Sequence, residues 1–304
     1  MIVSQKRKSA IWVWLAILIP ISPLITGVLK DRGIPGYAFP ERAVSTLAAM
    51  ERYRAFREAP PSEPCAVDLD APTIRAAIDH AREARRTFIT ESSAQRVAEA
   101  CGIPTPKAGL ATDLGTARER AREIGYPVVL KIASPDILHK SDIGGIELDV
   151  QDDDGVVAAY ERIMARVLQR MPEARIWGVS VQQQLPPGRE VIIGVNRDAN
   201  FGPILMFGLG GIYVEVLQDV TFRLCPVTPR DAREMISEIR AYGLLRGARG
   251  AAPADVDAIA DVICRVSALA MTFDDITELD INPLIVGDRG QGAVAADIRI
   301  GIGG

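Results

Sequence analysis

Thr277-Glu278-Leu279-Asp280-Ile281-Asn282-Pro283 alternates polar and apolar side chains residue by residue. Successive side chains of a strand point to opposite faces, so Glu278, Asp280 and Asn282 share one face while Leu279 and Ile281 enter a core. Pro283 closes the run, and Asp297 lies in the next strand-like stretch, Val294-Ala295-Ala296-Asp297-Ile298. Oxygen donors gathered in this way are what a hard cation such as Mg²⁺ takes as ligands while keeping several waters. The plainer alternative is a solvated strand face.

Upstream, Val128-Val129-Leu130-Lys131-Ile132 is a β-branched run of the kind that forms a buried strand, with one lysine inside it. A buried lysine is costly unless it meets an anion; the alternative is an edge strand from which Lys131 snorkels to water. The loop that follows, Ser134 to Gly145, is polar, contains His139 and ends in Gly144-Gly145, whose backbone N–H groups could approach a phosphate. No G-x-x-x-x-G-K-[ST] loop is present. Phe207-Gly208-Leu209-Gly210-Gly211-Ile212, flanked by Glu215 and Asp219, reads equally well as a tight turn or a ligand loop.

Around these motifs the helix period of 3.6 is plain. Ala94, Val97, Ala98 and Cys101 form one apolar stripe ended by Gly102 and Pro104, and a second helix runs from Asp113 to Gly125. Val156 to Met171 is amphipathic, and further helices are expected at about Arg230–Tyr242 and Pro253–Thr272. Strands are expected through Ile176–Val181, Val191–Val195, Ile204–Phe207, Thr277–Val286 and Ala293–Ile300. The mixture implies an α/β or α+β fold with long connections between strands rather than a meander. Pro60, Pro61, Pro64 and Pro72 mark a linker between a short helix at Pro40–Phe56 and an exposed connecting helix at Thr73–Phe88.

At 304 residues the chain can bury one or two substantial cores, and 48% hydrophobic with 24% charged residues is ordinary for a folded protein. A net charge of -4 carries no nucleic-acid footprint, so small anions are the expected ligands. Two histidines, His80 and His139, exclude a histidine-rich metal site. Cys65, Cys101, Cys225 and Cys264 are scattered without metal or disulfide spacing and are expected as free thiols in a reducing cytosol. Residues 10–29 are apolar, close to the ~20 residues that cross a bilayer, but are interrupted by Pro20 and Pro23. They are read as an anchor, a buried or surface helix, or a misplaced start, the last being favoured over membrane contact.

YPVVLKIASPDILHKSDIGGI, VQQQLPPGREVIIGV, FGPILMFGLGGIYVEVLQDV and ELDINPLIV, in this order, resemble the ATP-grasp domain of ADP-forming acetyl-CoA synthetases, relatives of succinyl-CoA synthetase β subunits. The resemblance runs from about Thr90 to Ile300. It implies an α+β fold of two subdomains clasping a nucleotide, with ATP/ADP and Mg²⁺ as cofactors. By the same resemblance Lys131 contacts phosphates, and Gln182, Gln183, Gln184 and Leu185 form the hinge that receives adenine. Glu190 reaches the ribose side, Asn282 and Asp297 hold magnesium beside Asp280, and His139 carries phosphate between sites. Gln183 stands where such proteins often have glutamate.

GIPGYAFPERAVSTLAAMERY, from Gly33, is similar to the tail of the ligase domain that precedes ATP-grasp in single-chain members. The division implied is an apolar segment (1–30), a ligase-domain remnant (31–58), linker and connecting helix (59–89) and the ATP-grasp domain (90–304). A separately encoded partner would then supply the CoA-binding and phosphohistidine parts, bringing the small carboxylic acid and CoA. Two rival expectations are a nucleotide-binding regulatory module of a protein acetyltransferase system and a non-catalytic remnant.

Overall fold

A computed structural model describes residues 31, 37, 39–58, 60, 62–137, 140–210, 218–248 and 250–303. His139, Gly211, Glu215 and the apolar stretch 10–29 lie outside the described residues. The chain divides into two units, residues 1–61 and 62–304. In the first, α1 (Pro40–Glu58) carries Arg54 between Glu51 and Glu58 at helical spacing, an exposed arrangement that contributes little stability.

The second unit holds two sheets, each with its own core. Strands β1 (Ala108–Ala111), β2 (Val128–Ala133), β3 (Ile146–Val150) and β4 (Gly178–Gln183) pair antiparallel in the order β1-β4-β2-β3. Helices α4 (Leu114–Ile124) and α5 (Asp153–Arg170) cover one face, where Ala117, Ala121, Val156, Ile163 and Val167 meet Val128, Leu130, Ile132, Val179 and Val181. Asp152 fixes the start of α5 by accepting a hydrogen bond from Gly155 N (2.8 Å), the usual role of an aspartate before a first helical turn.

The larger sheet comprises β5 (Arg189–Asp198), β6 (Gly202–Leu209), β7 (Val220–Leu224), β8 (Ile276–Val286), β9 (Ala293–Ala295) and β10 (Ile298–Ile302). Its order is β10-β8-β5-β6-β7, with β9 also paired to β8, and every pairing is antiparallel. The fold is α+β, as expected, but β5, β6 and β7 follow one another as adjacent antiparallel strands. The expectation of long connections throughout is therefore corrected: Asn200 and Phe201 N–H groups donate to Asp198 Oδ1 and turn the chain sharply.

Helices α2 (Ala71–Glu83), α3 (Glu91–Ala100), α6 (Pro229–Glu238), α7 (Tyr242–Leu245) and α8 (Val256–Thr272) belong to this larger core. The helix expected over Arg230–Tyr242 is two helices, α6 and α7, because Ile239 adopts extended backbone between them. The apolar stripe of α3 is buried as its period predicts, with Ala94, Val97, Ala98 and Cys101 inside.

Two expectations upstream are corrected. The helix read as exposed and connecting is α2, and it buries Ile74, Ile78 and Ala81 in the core; this i, i+4, i+7 stripe is masked by surrounding Arg, Glu and Ala. The proline-rich stretch before it is a strap rather than a free linker, with Cys65, Val67 and Leu69 packed on the core. Cys65 is bonded to Cys264 of α8, 199 residues away, so these two are not free thiols. Spacing along a chain cannot reveal such a pair. Cys101 and Cys225 are free, and burial pushes the Cys101 thiol up to about 12. Among the described residues no helix is long and apolar enough to cross a membrane.

Candidate functional site: a cation and an acidic strand face joined through one carbonyl

Alternation along β2 and β4 decides which side chains leave the small core. Val128, Leu130, Ile132, Val179 and Val181 point into it, so Val129, Lys131, Ser180 and Gln182 occupy the opposite face, with Lys131 beside Ser180 and Val129 beside Gln182 in the register. Lys131 is only 7% exposed. It does not snorkel from an edge strand: β2 lies between β4 and β3, and Lys131 Nζ donates to the Ala296 carbonyl (3.0 Å). Gln182 Nε2 donates to the same carbonyl, also at 3.0 Å.

Ala296 and Asp297 form the turn between β9 and β10, and this turn is tied to the acidic strand. Asn282 N donates to the Asp297 carbonyl (3.1 Å), and Ala296 N donates to the Pro283 carbonyl (3.0 Å). Along β8, Leu279, Ile281 and Leu284 are buried, Glu278 and Asp280 are half-buried and Asn282 is exposed. The alternation read from the sequence is therefore the alternation of the strand. Lys131 joins the turn that links Asn282 and Asp297 although 165 residues separate it from Ala296.

The electrostatics follow from this packing. Burial, then the neighbouring charges of Asp297 and Glu278, push the Asp280 carboxyl up to about 6, against a smaller downward pull from Arg299. Carboxylates crowded on a half-buried face favour a bound cation, so the donor set of Asp280, Asn282 and Asp297 fits Mg²⁺ in its chemistry.

A second charged pair flanks this turn. Lys140 and Glu91 form an ion pair with side chains 14% and 29% exposed. Burial opposes the Glu91 charge, but attraction to Lys140 and Lys131, with hydrogen bonds from Lys140 and Ser180, holds its carboxyl below the ordinary value. Burial likewise opposes the Lys140 charge, and Glu91 and Asp297 outweigh it, so the ammonium is held above its ordinary value. Beside Asp297 a cleft of about 590 Å³ opens, with Glu91, Lys140, Ser180, Trp177 and Arg299 in its lining.

Glu91, Lys140, Ser180 and Arg299 were not singled out from the sequence. Only two of them carried a local signal: Lys140 adjoins His139, and Glu91 opens a helix directly after Thr90.

The other expected residues fall as follows. The N–H groups of Gly144 and Gly145 donate to the carbonyls of Ser141 (3.0 Å) and Lys140 (2.7 Å). The expectation that they face a phosphate is corrected, because they close a tight turn of their own loop. Gly144 needs its positive φ of 68°, and a Cβ on Gly145 would lie 2.6 Å from Ile132 Cγ2. At the far end of β4, Gln183 N donates to the Lys107 carbonyl (2.8 Å) and Gln184 N to the Pro127 carbonyl (3.2 Å). Gln184 Oε1 accepts from Asp149 N (2.6 Å), which ties the end of β3 to this crossing. Leu185 follows directly, and the Glu190 carbonyl in β5 accepts from Gly210 N (2.8 Å). Asp219 is not a free acid of the glycine-rich loop: its carboxylate is buried and accepts from Arg240 N and Ala241 N (2.8 Å each).

Residues 80–302 match the ATP-grasp domain family. The chain is 48% identical over 216 residues to the β subunit of acetate–CoA ligase (ADP-forming) II of Pyrococcus furiosus, covering 71% of this chain and 92% of that one. It is 43% identical over 279 residues to acetate–CoA ligase (ADP-forming) I of Archaeoglobus fulgidus, covering 91% of this chain and 40% of that one. It thus spans about two fifths of the length of that relative and of a second, a 4-hydroxybutyrate–CoA ligase (ADP-forming) of Nitrosopumilus maritimus, of which it covers 39%. Among solved structures it is similar to the dinucleotide forming acetyl-coenzyme A synthetase 1 of Candidatus Korarchaeum cryptofilum in complex with coenzyme A and Ca-AMPCP. The TM-score is 0.73 at 41% identity, over 75% of this chain and 99% of that one. Another structure of that enzyme, with coenzyme A and Mg-AMPPCP, has its phosphohistidine segment pointing towards the nucleotide binding site (TM-score 0.66, 38% identity, 76% of this chain and 100% of that one).

Proposed function

The chain belongs to the ATP-grasp domain family, in the branch of ADP-forming acetate–CoA ligase β subunits, and on that premise we propose that it is the nucleotide-handling part of an ADP-forming acyl-CoA ligase. The observation that carries this reading is the hydrogen bond from Lys131 Nζ to the carbonyl of Ala296, whose neighbour Asp297 accepts at its own carbonyl from Asn282 N. A cation for phosphate and oxygen donors for a metal meet in one place.

Asp280, Asn282 and Asp297 would hold Mg²⁺, which supplies charge neutralisation at phosphate oxygens. Lys131 adds a fixed positive charge, so catalysis comes from positioning and electrostatics. Gln183, Gln184 and Leu185 receive adenine, and Glu190 lies towards the ribose. Gly144 and Gly145 shape the loop that bears His139. His139 accepts the phosphoryl group: an imidazole nitrogen–phosphorus bond forms as the bond between the γ-phosphorus of ATP and the ADP oxygen breaks. A neutral imidazole is available for this near pH 7, its ordinary pKa being about 6.5. A partner subunit bearing the CoA-binding and phosphohistidine parts takes the phosphate onward, so that a small carboxylic acid and CoA become acyl-CoA. The whole runs where ATP is made available, in the cytoplasm.

The test is incubation with γ-labelled ATP, Mg²⁺ and the partner subunit. Label on histidine, lost in His139→Ala while calorimetric nucleotide affinity is retained, is the expected result. Nucleotide bound but left intact would reject phosphoryl transfer, and acyl-CoA synthesis undiminished in His139→Ala would reject the carrier role.

A further inference from the structure

The loop after β2 is fastened at its start, its middle and its end, and the fastenings differ in kind. At its start the Asp136 carboxylate accepts from Arg175 N (2.8 Å), Nε (3.0 Å) and Nη2 (2.6 Å). At its end Arg170 Nη1 donates to the Asp142 carbonyl (2.8 Å). Both arginines come from the stretch between β3 and β4, the same layer as the loop itself, and both are exposed. Exposed pairs of this kind contribute little.

The middle fastening is largely buried and comes from elsewhere. Lys140, next to His139 in the chain, pairs with Glu91. Glu91 opens α3, whose apolar stripe lies in the core of the large sheet, and it also accepts from Ser180 of β4. One carboxylate thus reaches from the large core to two points of the small sheet's layer. Lys140 is in turn the fixed point of its own loop. Its carbonyl accepts from Gly145 N (2.7 Å), and the Gly145 carbonyl accepts from Ile132 N of β2 (2.7 Å). Desolvation offsets much of what a buried ion pair contributes to stability, whereas the pair still fixes register and direction.

We infer that Glu91 is a positioning residue, which acts through Lys140 to set the root of the His139 loop against the Ala296–Asp297 turn. Misplacing reacting groups by about an ångström costs on the order of a hundredfold in rate, so a loop that delivers a phosphoryl acceptor needs such a stop. What the loop delivers rests on the function proposed above; the anchoring rests on the ion pair and on the Lys140 carbonyl.

The experiment compares the full chain with Glu91→Gln, Glu91→Asp, Lys140→Met and the double variant Glu91→Gln/Lys140→Met. Amide hydrogen exchange over residues 140–145 reports the anchor, and the rate of histidine labelling from saturating γ-labelled Mg-ATP, with the partner subunit, reports the chemistry. In Glu91→Gln exchange should quicken about tenfold and labelling slow about a hundredfold. Mg-ADP affinity by calorimetry should stay within about twofold of native, which also shows that the variant folds. Glu91→Asp, which keeps the charge, should fall between the two. The double variant should be no slower than Glu91→Gln, because both changes remove the same contact. Unchanged exchange in Glu91→Gln overturns the anchor, and quickened exchange with native labelling overturns the positioning role. A parallel loss of Mg-ADP affinity overturns it by placing Glu91 in the nucleotide site. Losses that multiply in the double variant overturn it by making the two residues independent. A native chain that is never labelled sinks the function proposed above, and quickened exchange in Glu91→Gln would still leave the anchor standing.

Discussion

The four-stranded and six-stranded sheets differ most in the charge they turn towards their meeting place. The small sheet brings a buried cation, Lys131, with the amide of Gln182 beside it. The large sheet brings the acids Glu278, Asp280 and Asp297. Each sheet closes its own hydrocarbon core, and the buried cation and the acidic strand face come from different sheets. Putting opposite charges on two different sheets keeps them from neutralising each other within one strand. It also makes the site depend on how the layers are held together.

Changes to the two cores test how separate the layers are. Leu130→Ala in the small core and Ile193→Ala in the large one, both fully buried, should each cost about 2–5 kcal/mol. If the layers melt as one, both variants lower a single calorimetric transition. If Leu130→Ala shifts an early transition and Ile193→Ala a late one, the layers are separate cooperative units.

Next in size is Asp297→Ala, which removes an acid from the large sheet and should weaken Mg-nucleotide binding roughly 100-fold. Unchanged affinity by calorimetry would break the assignment of metal ligands to this layer.

Glu91→Gln probes the ion pair beside the junction. Losing a partly buried partner should cost about 1–2 kcal/mol near neutral pH. The Glu91 carboxyl is held below 4.5 in the folded chain, so its contribution is present above that value and is lost as pH falls through the lower folded value. Thermal melts should therefore show native and variant converging on acidification; a constant gap would exclude the linkage.

Asp280→Asn acts in the opposite direction. The native carboxyl is raised from 3.8 to about 6, so its ionisation opposes folding increasingly between those values and fully above the upper one. In the absence of Mg²⁺ the variant should melt higher at pH 7, by on the order of 10 °C, and no higher below pH 3.8. Saturating Mg²⁺ should reverse the order.

Local periodicity carried most of what could be read from the chain itself. The alternation of β8 put Leu279 and Ile281 inside and Asp280 outside because a strand repeats every two residues, and the stripe of α3 followed the helical period in the same way. Where composition hid the period, the reading failed: α2 looked exposed because Arg and Glu surround Ile74 and Ile78. The strands β1, β3 and β7, each five residues or fewer, are too short to declare themselves. The partners of the site residues could not be read at all. Gln182 and Lys131 reach Ala296 across 114 and 165 residues, and the Cys65–Cys264 bond spans still more. Such contacts are properties of the packed chain, so they appear in no window of sequence.

The joint between the layers has an acceptor that belongs to the main chain. Lys131 and Gln182 both terminate on the carbonyl oxygen of Ala296, an atom that every amino acid possesses. Replacing Ala296 by serine or glycine would leave that oxygen in position, whereas replacing Lys131 or Gln182 removes a donor outright. A scan of side chains at position 296 would thus find it permissive, and the importance of the spot would surface only on exchanging its peptide linkage for an ester, which weakens the carbonyl as an acceptor.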